Sequence, residues 1–109
     1  MMNRKISTYY ADPPGRGHCE VHMDLKEETY NPIHLTSSYE KPFAPHGISM
    51  IKSDSTYKVM AISHILDSHS IEVFKLSNNT MTHEKTLTDD TMVRPNDIVM
   101  IDNKRFYFT

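Results

Sequence analysis

Eight consecutive residues, His18-Cys19-Glu20-Val21-His22-Met23-Asp24-Leu25, alternate polar and apolar side chains without a break. An extended strand turns successive side chains to opposite faces. Cys19, Val21, Met23 and Leu25 therefore share one face, and His18, Glu20, His22 and Asp24 share the other. The run is predicted as a β-strand with one apolar and one ionisable face. All four polar side chains on that second face can bind a metal or carry a proton.

The rest of the chain reads as mostly β. All three glycines and five of the six prolines precede residue 48, so the first half is punctuated and the second is not. Asp12 to Gly17 and Lys41-Pro42-Phe43-Ala44-Pro45-His46-Gly47 are predicted as irregular segments, since proline removes a donor and disfavours helix and central strand alike. A short edge strand is expected around Ile33-His34-Leu35. From Ile48 a meander is expected: Ile48 to Lys52, a turn at Ser53-Asp54-Ser55, Tyr57 to Leu66, a turn at Asp67-Ser68-His69, Ile71 to Ser77, and Thr80 to Thr86. Asn78-Asn79 suits a two-residue hairpin turn, because Asn tolerates positive φ. Tyr57 to Leu66 also carries a helical stripe at Val59, Ile62 and Leu66 behind a capping Asp54, but its β-branched content favours strand. A final hairpin turning at Asn103-Lys104 would set Ile101 against Phe106, Val99 against Phe108, and Asp102 against Arg105.

The expected fold is a mostly β, single-domain barrel or sandwich of about six to eight short antiparallel strands. An irregular N-terminal third and at most one short helix complete it. The domain spans 1–109, and residues 1–17 are its most loosely ordered part. At 109 residues such a domain buries roughly two-thirds of its unfolded surface. The expected core is Val21, Met23, Leu25, Ile48, Met50, Val59, Ile62, Val73, Val99, Ile101, Phe106 and Phe108.

Composition narrows the function. A formal net charge of −2 provides no overall electrostatic case for nucleic acid or an acidic membrane. The single cysteine cannot form an internal disulfide, and no apolar stretch follows the basic N-terminus. Together these suggest a reducing, cytoplasmic setting. No cofactor motif is present. Gly15-Arg16-Gly17 lacks the spacing, lysine and helix of a nucleotide loop, and Cys19 lacks a neighbouring base on its own face.

On this footing the leading expectation is a non-enzymatic binding module that docks on a larger protein. The low glycine and abundant Met, Ser, Thr and Lys also fit a phage or viral accessory protein. Its contact residues are expected in the proline-bounded loop (Lys41, Phe43, His46) and on the ionisable strand face (Glu20, His22, Asp24). A strand edge would also permit a homodimer. The alternative is a metal-dependent or His/carboxylate hydrolase. There Glu20, His22 and Asp24 would hold a divalent ion such as zinc, with His34 or His64 completing the site.

Two short resemblances bear on these classes. His34-Leu35-Thr36 resembles the His-x-Thr element of two-histidine phosphoesterases, but the second His-x-Ser/Thr such enzymes pair with it is absent. Val93 to Ile101 resembles the turn and apolar strand of SH3-like and KOW-type small barrels, with Asn96 at the usual glycine. That likeness implies a nucleic-acid surface formed by Lys104, Arg105 and Tyr107.

Overall fold

The computed structural model describes residues 4–9, 17–23, 33–36, 39–65, 68–78 and 80–109. For 4–9, 18–23 and 33–34 the backbone alone is described. Nine strands and no helix occur among these residues. β1 (Arg4–Tyr9), β2 (His18–Met23) and β3 (Ile33–His34) form one antiparallel sheet. β4 (Pro45–Ser53), β5 (Thr56–Ile65), β6 (Ser68–Ser77) and β7 (Thr80–Leu87) form a four-stranded meander. β8 (Ile98–Met100) and β9 (Phe106–Phe108) form a hairpin.

The meander is covered on both faces. β5 and β6 are buried continuously, over Val59–Ser63 and Ile71–Phe74, whereas a half-exposed strand would alternate. Their register sets Val59 against Phe74 and Ala61 against Glu72 on one face. Leu35, Phe43 and Met81 close that face, with Tyr39 packed against them. Met60 opposes Val73 and Ile62 opposes Ile71 on the other face, which Met92, Ile98 and Met100 cover. Each side chain removed from water contributes roughly 1.5–3 kcal/mol, so two covered faces roughly double what one would supply.

Several local expectations match. Tyr57 to Ile65 is strand, within β5, and Leu66 lies outside the described residues. Ser53 pairs with Thr56 across Asp54, whose φ is 56°, and Ser77 pairs with Thr80 beside Asn78 at φ 51°. Both are positions where the short polar side chain tolerates the left-handed region. The alternating run is β2 through Met23, while Asp24 and Leu25 lie outside the described residues. Register sets Ile6, Val21 and Ile33 in one cross-strand row and Ser7, Glu20 and His34 in the next.

Other expectations need correction. No closed barrel forms among the described residues, because the strands divide into three separate sheets. The N-terminal third is not simply irregular, since β1 pairs with β2 over its full length. β4 begins at Pro45, inside the segment expected to be a loop, with an irregular register between Pro45 and Ile48.

The C-terminal hairpin is shifted by one residue. Ile98 faces Phe108 and Met100 faces Phe106, and Ile98 and Met100 are buried while Val99 and Ile101 are 56% and 43% exposed. The cause lies in the turn. Asp102 Oδ1 accepts from the Lys104 and Arg105 amides at 2.8 and 2.9 Å, and the Ile101 amide donates to the Arg105 carbonyl. A three-residue loop closed by Asp102 replaces the expected two-residue turn, and a one-residue change exchanges the faces. Asp102 and Arg105 do pair, at 2.8 Å, but within the loop. Met50, expected in the core, is 37% exposed.

Candidate functional site

Two polar clusters occupy opposite faces of the meander. The first is built where β4 starts, β5 ends and β6 starts. The β5–β6 register places His64 directly across from His69, and their Nδ1 atoms lie 2.7 Å apart. One must donate and the other accept, so the pair holds a single proton between these two nitrogens. His46, on the first turn of β4, sets its ring edge-on to His64 with centroids 4.8 Å apart. His46 is exposed, and His64 and His69 are half-buried.

The backbone fixes this arrangement. The His64 amide donates to the Ala44 carbonyl at 2.9 Å, and the Ala44 amide donates to Ser63 Oγ at 3.1 Å. These bonds hold the segment leading to His46 against the end of β5. Gly47 lies so close to the 95–97 loop that a Cβ there would meet the Asn96 carbonyl oxygen at 2.8 Å and the Asp97 Cα at 2.9 Å. Glycine is required by this close approach rather than by its φ. On the loop itself, Arg94 adopts φ 50° and Pro95 is buried.

Burial is the main force pushing the His64 pKa below its ordinary value, and the nearby His46 and His69 add to it. A hydrogen bond to the Pro95 main chain opposes the shift. Proline has no amide hydrogen, so the Pro95 carbonyl accepts and the imidazole donates. With Nδ1 turned to His69, the nitrogen left to donate is Nε2. Neutral His64 then accepts at Nδ1, and His69 supplies the proton.

The second cluster centres on Glu72, a carboxylate only 4% exposed in the middle of β6. Its Oε1 accepts from Thr86 Oγ1 at 2.5 Å and Tyr39 OH at 3.4 Å, and lies 2.8 Å from His83 Nε2. Its Oε2 accepts from Ser70 Oγ at 2.5 Å. His83 and Thr86 are three residues apart and would point to opposite faces of a regular strand. A β-bulge corrects this: Val73 pairs with Lys85 but Phe74 pairs with His83, leaving Glu84 as the extra residue. Burial, then the Glu72 charge and hydrogen bond, push the Tyr39 phenol up to about 12, so it stays a donor at any ordinary pH. Its ring packs edge-on against Phe43 and Phe74.

The expected site residues fall differently. Phe43 is 2% exposed within the first apolar cluster, so it is a core residue and no contact anchor. Lys41 is exposed, and of that loop only His46 reaches a polar cluster. Glu20, His22 and His34 lie on β2 and β3, with Glu20 and His34 directly opposed in register, and Asp24 is outside the described residues. Among the described residues no group of three or more His, Cys, Asp or Glu is arranged to hold a metal ion. Lys104, Arg105 and Tyr107 are exposed on the β8–β9 hairpin. Arg105 Nε is bound to Asp102 Oδ2 at 2.8 Å, which neutralises part of the expected basic surface.

The histidine cluster was hard to find in sequence. His64 and His69 were expected on a strand and in a turn, and only the pairing of Ile65 with Ser68 makes them partners. Glu72 had a clearer signal, a lone charge within Ile71-Glu72-Val73-Phe74. A charge inside a strand buried on both faces needs partners.

Comparison with known proteins then identifies the lineage. The arylesterase family model matches residues 5–109. Serum paraoxonase/arylesterase 2 of Rattus norvegicus is 32% identical over 110 residues, 95% of this chain and 30% of that protein. The Homo sapiens protein of the same name is 31% identical over the same shares. Serum paraoxonase/lactonase 3 of Homo sapiens is 30% identical over 112 residues, again 95% of this chain and 30% of the relative. The chain thus spans 30% of the length of these relatives. The matches overturn the expected non-enzymatic docking module and the phage or viral accessory role, and favour the hydrolase alternative. That error arose because no linear motif in the chain marked a catalytic set. The chain belongs to the arylesterase family.

Proposed function

We propose that this chain carries the proton-transfer part of a hydrolase site acting on aryl esters or lactones, with His46 as the general base. The observation that carries this reading is the convergence of His46, His64 and His69 at one end of the meander. The names of the relatives, arylesterase and lactonase, suggest the substrate class. For the fold, the finer reading is a small sandwich-like stack, supported by the β8–β9 hairpin on one face of the meander and by Leu35, Tyr39 and Phe43 on the other.

In this reading the exposed His46 ring takes a proton from water as the water oxygen attacks the ester carbonyl carbon. The tetrahedral adduct then expels the phenolate or alkoxide, and the same proton passes to that leaving oxygen. Products are a carboxylic acid and a phenol, or one hydroxy acid from a lactone. His64 is a positioning residue. Held neutral by burial, donating to Pro95 and accepting from His69, it holds a fixed ring against His46.

The test is hydrolysis of an aryl acetate and of a γ-lactone by the purified chain. A rate above buffer is expected, falling about 100-fold in His46→Gln, with Lys41→Gln unchanged. Absence of any rate above buffer, or an unchanged rate in His46→Gln, overturns the assignment.

A further inference from the structure

The face of the meander that carries the paired histidines has a second polar end. Along β5 and β6 the cross-strand pairs on this face run His64 with His69, Ile62 with Ile71, Met60 with Val73, and Lys58 with Lys75. The lysine pair therefore lies six residues along β5 from His64, about 20 Å away. The β8–β9 hairpin covers the apolar pairs between the two ends.

Two lysines directly opposed on neighbouring strands repel each other and cost stability. Among the described residues neither lysine forms an ion pair that would offset that cost. Both line an open cavity of about 260 Å³, together with Ser53, Thr56, Tyr57 and Asn103. Glu84, the extra residue of the β7 bulge, also lines it without pairing with either lysine. The charged lining thus sums to +1.

The cavity is built rather than incidental. Lys58 Nζ donates to the Asn103 carbonyl at 3.0 Å, and Asn103 Nδ2 donates to Ser53 Oγ at 3.1 Å. These bonds tie the hairpin tip to the β4–β5 turn and wall one side of the cleft. A lysine bound to a neutral carbonyl keeps its charge and has two further donors to offer. Lys75 is exposed at the opposite wall.

We propose that this cleft binds a small oxyanion, a carboxylate or a phosphate, between the Lys58 and Lys75 ammonium groups. Hydroxyl and amide donors from the β4–β5 turn and the hairpin tip surround it. An anion there relieves the lysine repulsion and gains charge-assisted hydrogen bonds. The site is separate from the histidine cluster, so it stands or falls independently of ester hydrolysis.

The experiment is a titration of the chain with inorganic phosphate and, separately, with acetate, followed by amide chemical shifts, with sodium chloride at matched ionic strength as reference. Saturable shifts centred on 53–58, 75 and 103 are expected with at least one anion, and which anion saturates identifies the source. In the Lys58→Gln/Lys75→Gln double variant the apparent affinity should fall at least about tenfold. Lys75→Gln alone, an exposed substitution, serves if the double variant does not fold. Shifts that do not saturate, that chloride reproduces, or that persist in the variants overturn the site.

Discussion

The two polar clusters of the meander lie on opposite faces of the same two strands and solve opposite problems. Around Glu72 every donor converges on one buried carboxylate, and no buried side-chain nitrogen or oxygen among the described residues lacks a partner. Around His64 the groups are half-buried, the chain of rings ends at an exposed His46, and burial, with the two neighbouring imidazoles, opposes protonation of His64. A satisfied buried network rigidifies a fold, whereas a titratable pair open to solvent is poised for proton transfer. Visible polarity alone does not mark a reactive site. Closure separates the two.

The difference can be broken from the Glu72 side first. Glu72→Ala leaves His83, Thr86, Ser70 and Tyr39 without their shared acceptor, and should lower stability by about 3–5 kcal/mol. Chemical denaturation measures this; a loss under about 1 kcal/mol would mean the knot is not structural. A smaller cut is Thr86→Val, which keeps the shape and removes one donor at 2.5 Å from Oε1. It should cost about 1–2 kcal/mol and leave ester hydrolysis unchanged. If the rate fell with it, the two faces would be coupled.

The mildest perturbation is pH. His64 has a lowered pKa in the fold, so between that value and the unfolded value near 6.5 the unfolded chain binds more protons. Its contribution to stability is therefore fully present above about pH 6.5 and declines as pH falls below it. Melting temperature between pH 7.5 and 5 should drop more steeply for the native chain than for His64→Gln. Parallel curves would remove His64 as the source.

Particular residues mark how far the sequence could be read. The β-branched content of Tyr57 to Ile65 was enough for strand, and Asn78 was enough for a turn, because both preferences act within a few residues. The C-terminal hairpin was legible as a hairpin but not in register, since one carboxylate, Asp102, closes a loop one residue longer than expected. Phe43 looked like a surface anchor in a proline-bounded loop. Its burial depends on where Leu35 and residues 39–44 meet the rest of the fold, which the Gly17–Phe43, Leu35–Met81 and Ala44–His64 backbone bonds decide.

The candidate site was less legible than the fold. His46 was read as a contact residue and His64 as a residue that could complete a hydrolase site, and nothing in the linear sequence brought the two together with His69. The run that first constrains the chain is strand over its described part, His18 to Met23, with Glu20 opposed to His34 in register.

Sequence alone determined that this chain is mostly β and where most of its strands and tight turns fall, because alternation, β-branching and turn residues act locally. Tertiary structure alone decided which side chains meet. Pairing His64 with His69, folding His83 and Thr86 onto Glu72 through a bulge, and seating Gly47 against Asn96 each depend on register between distant segments. Register changes by single residues, and each such step reverses the face a side chain occupies.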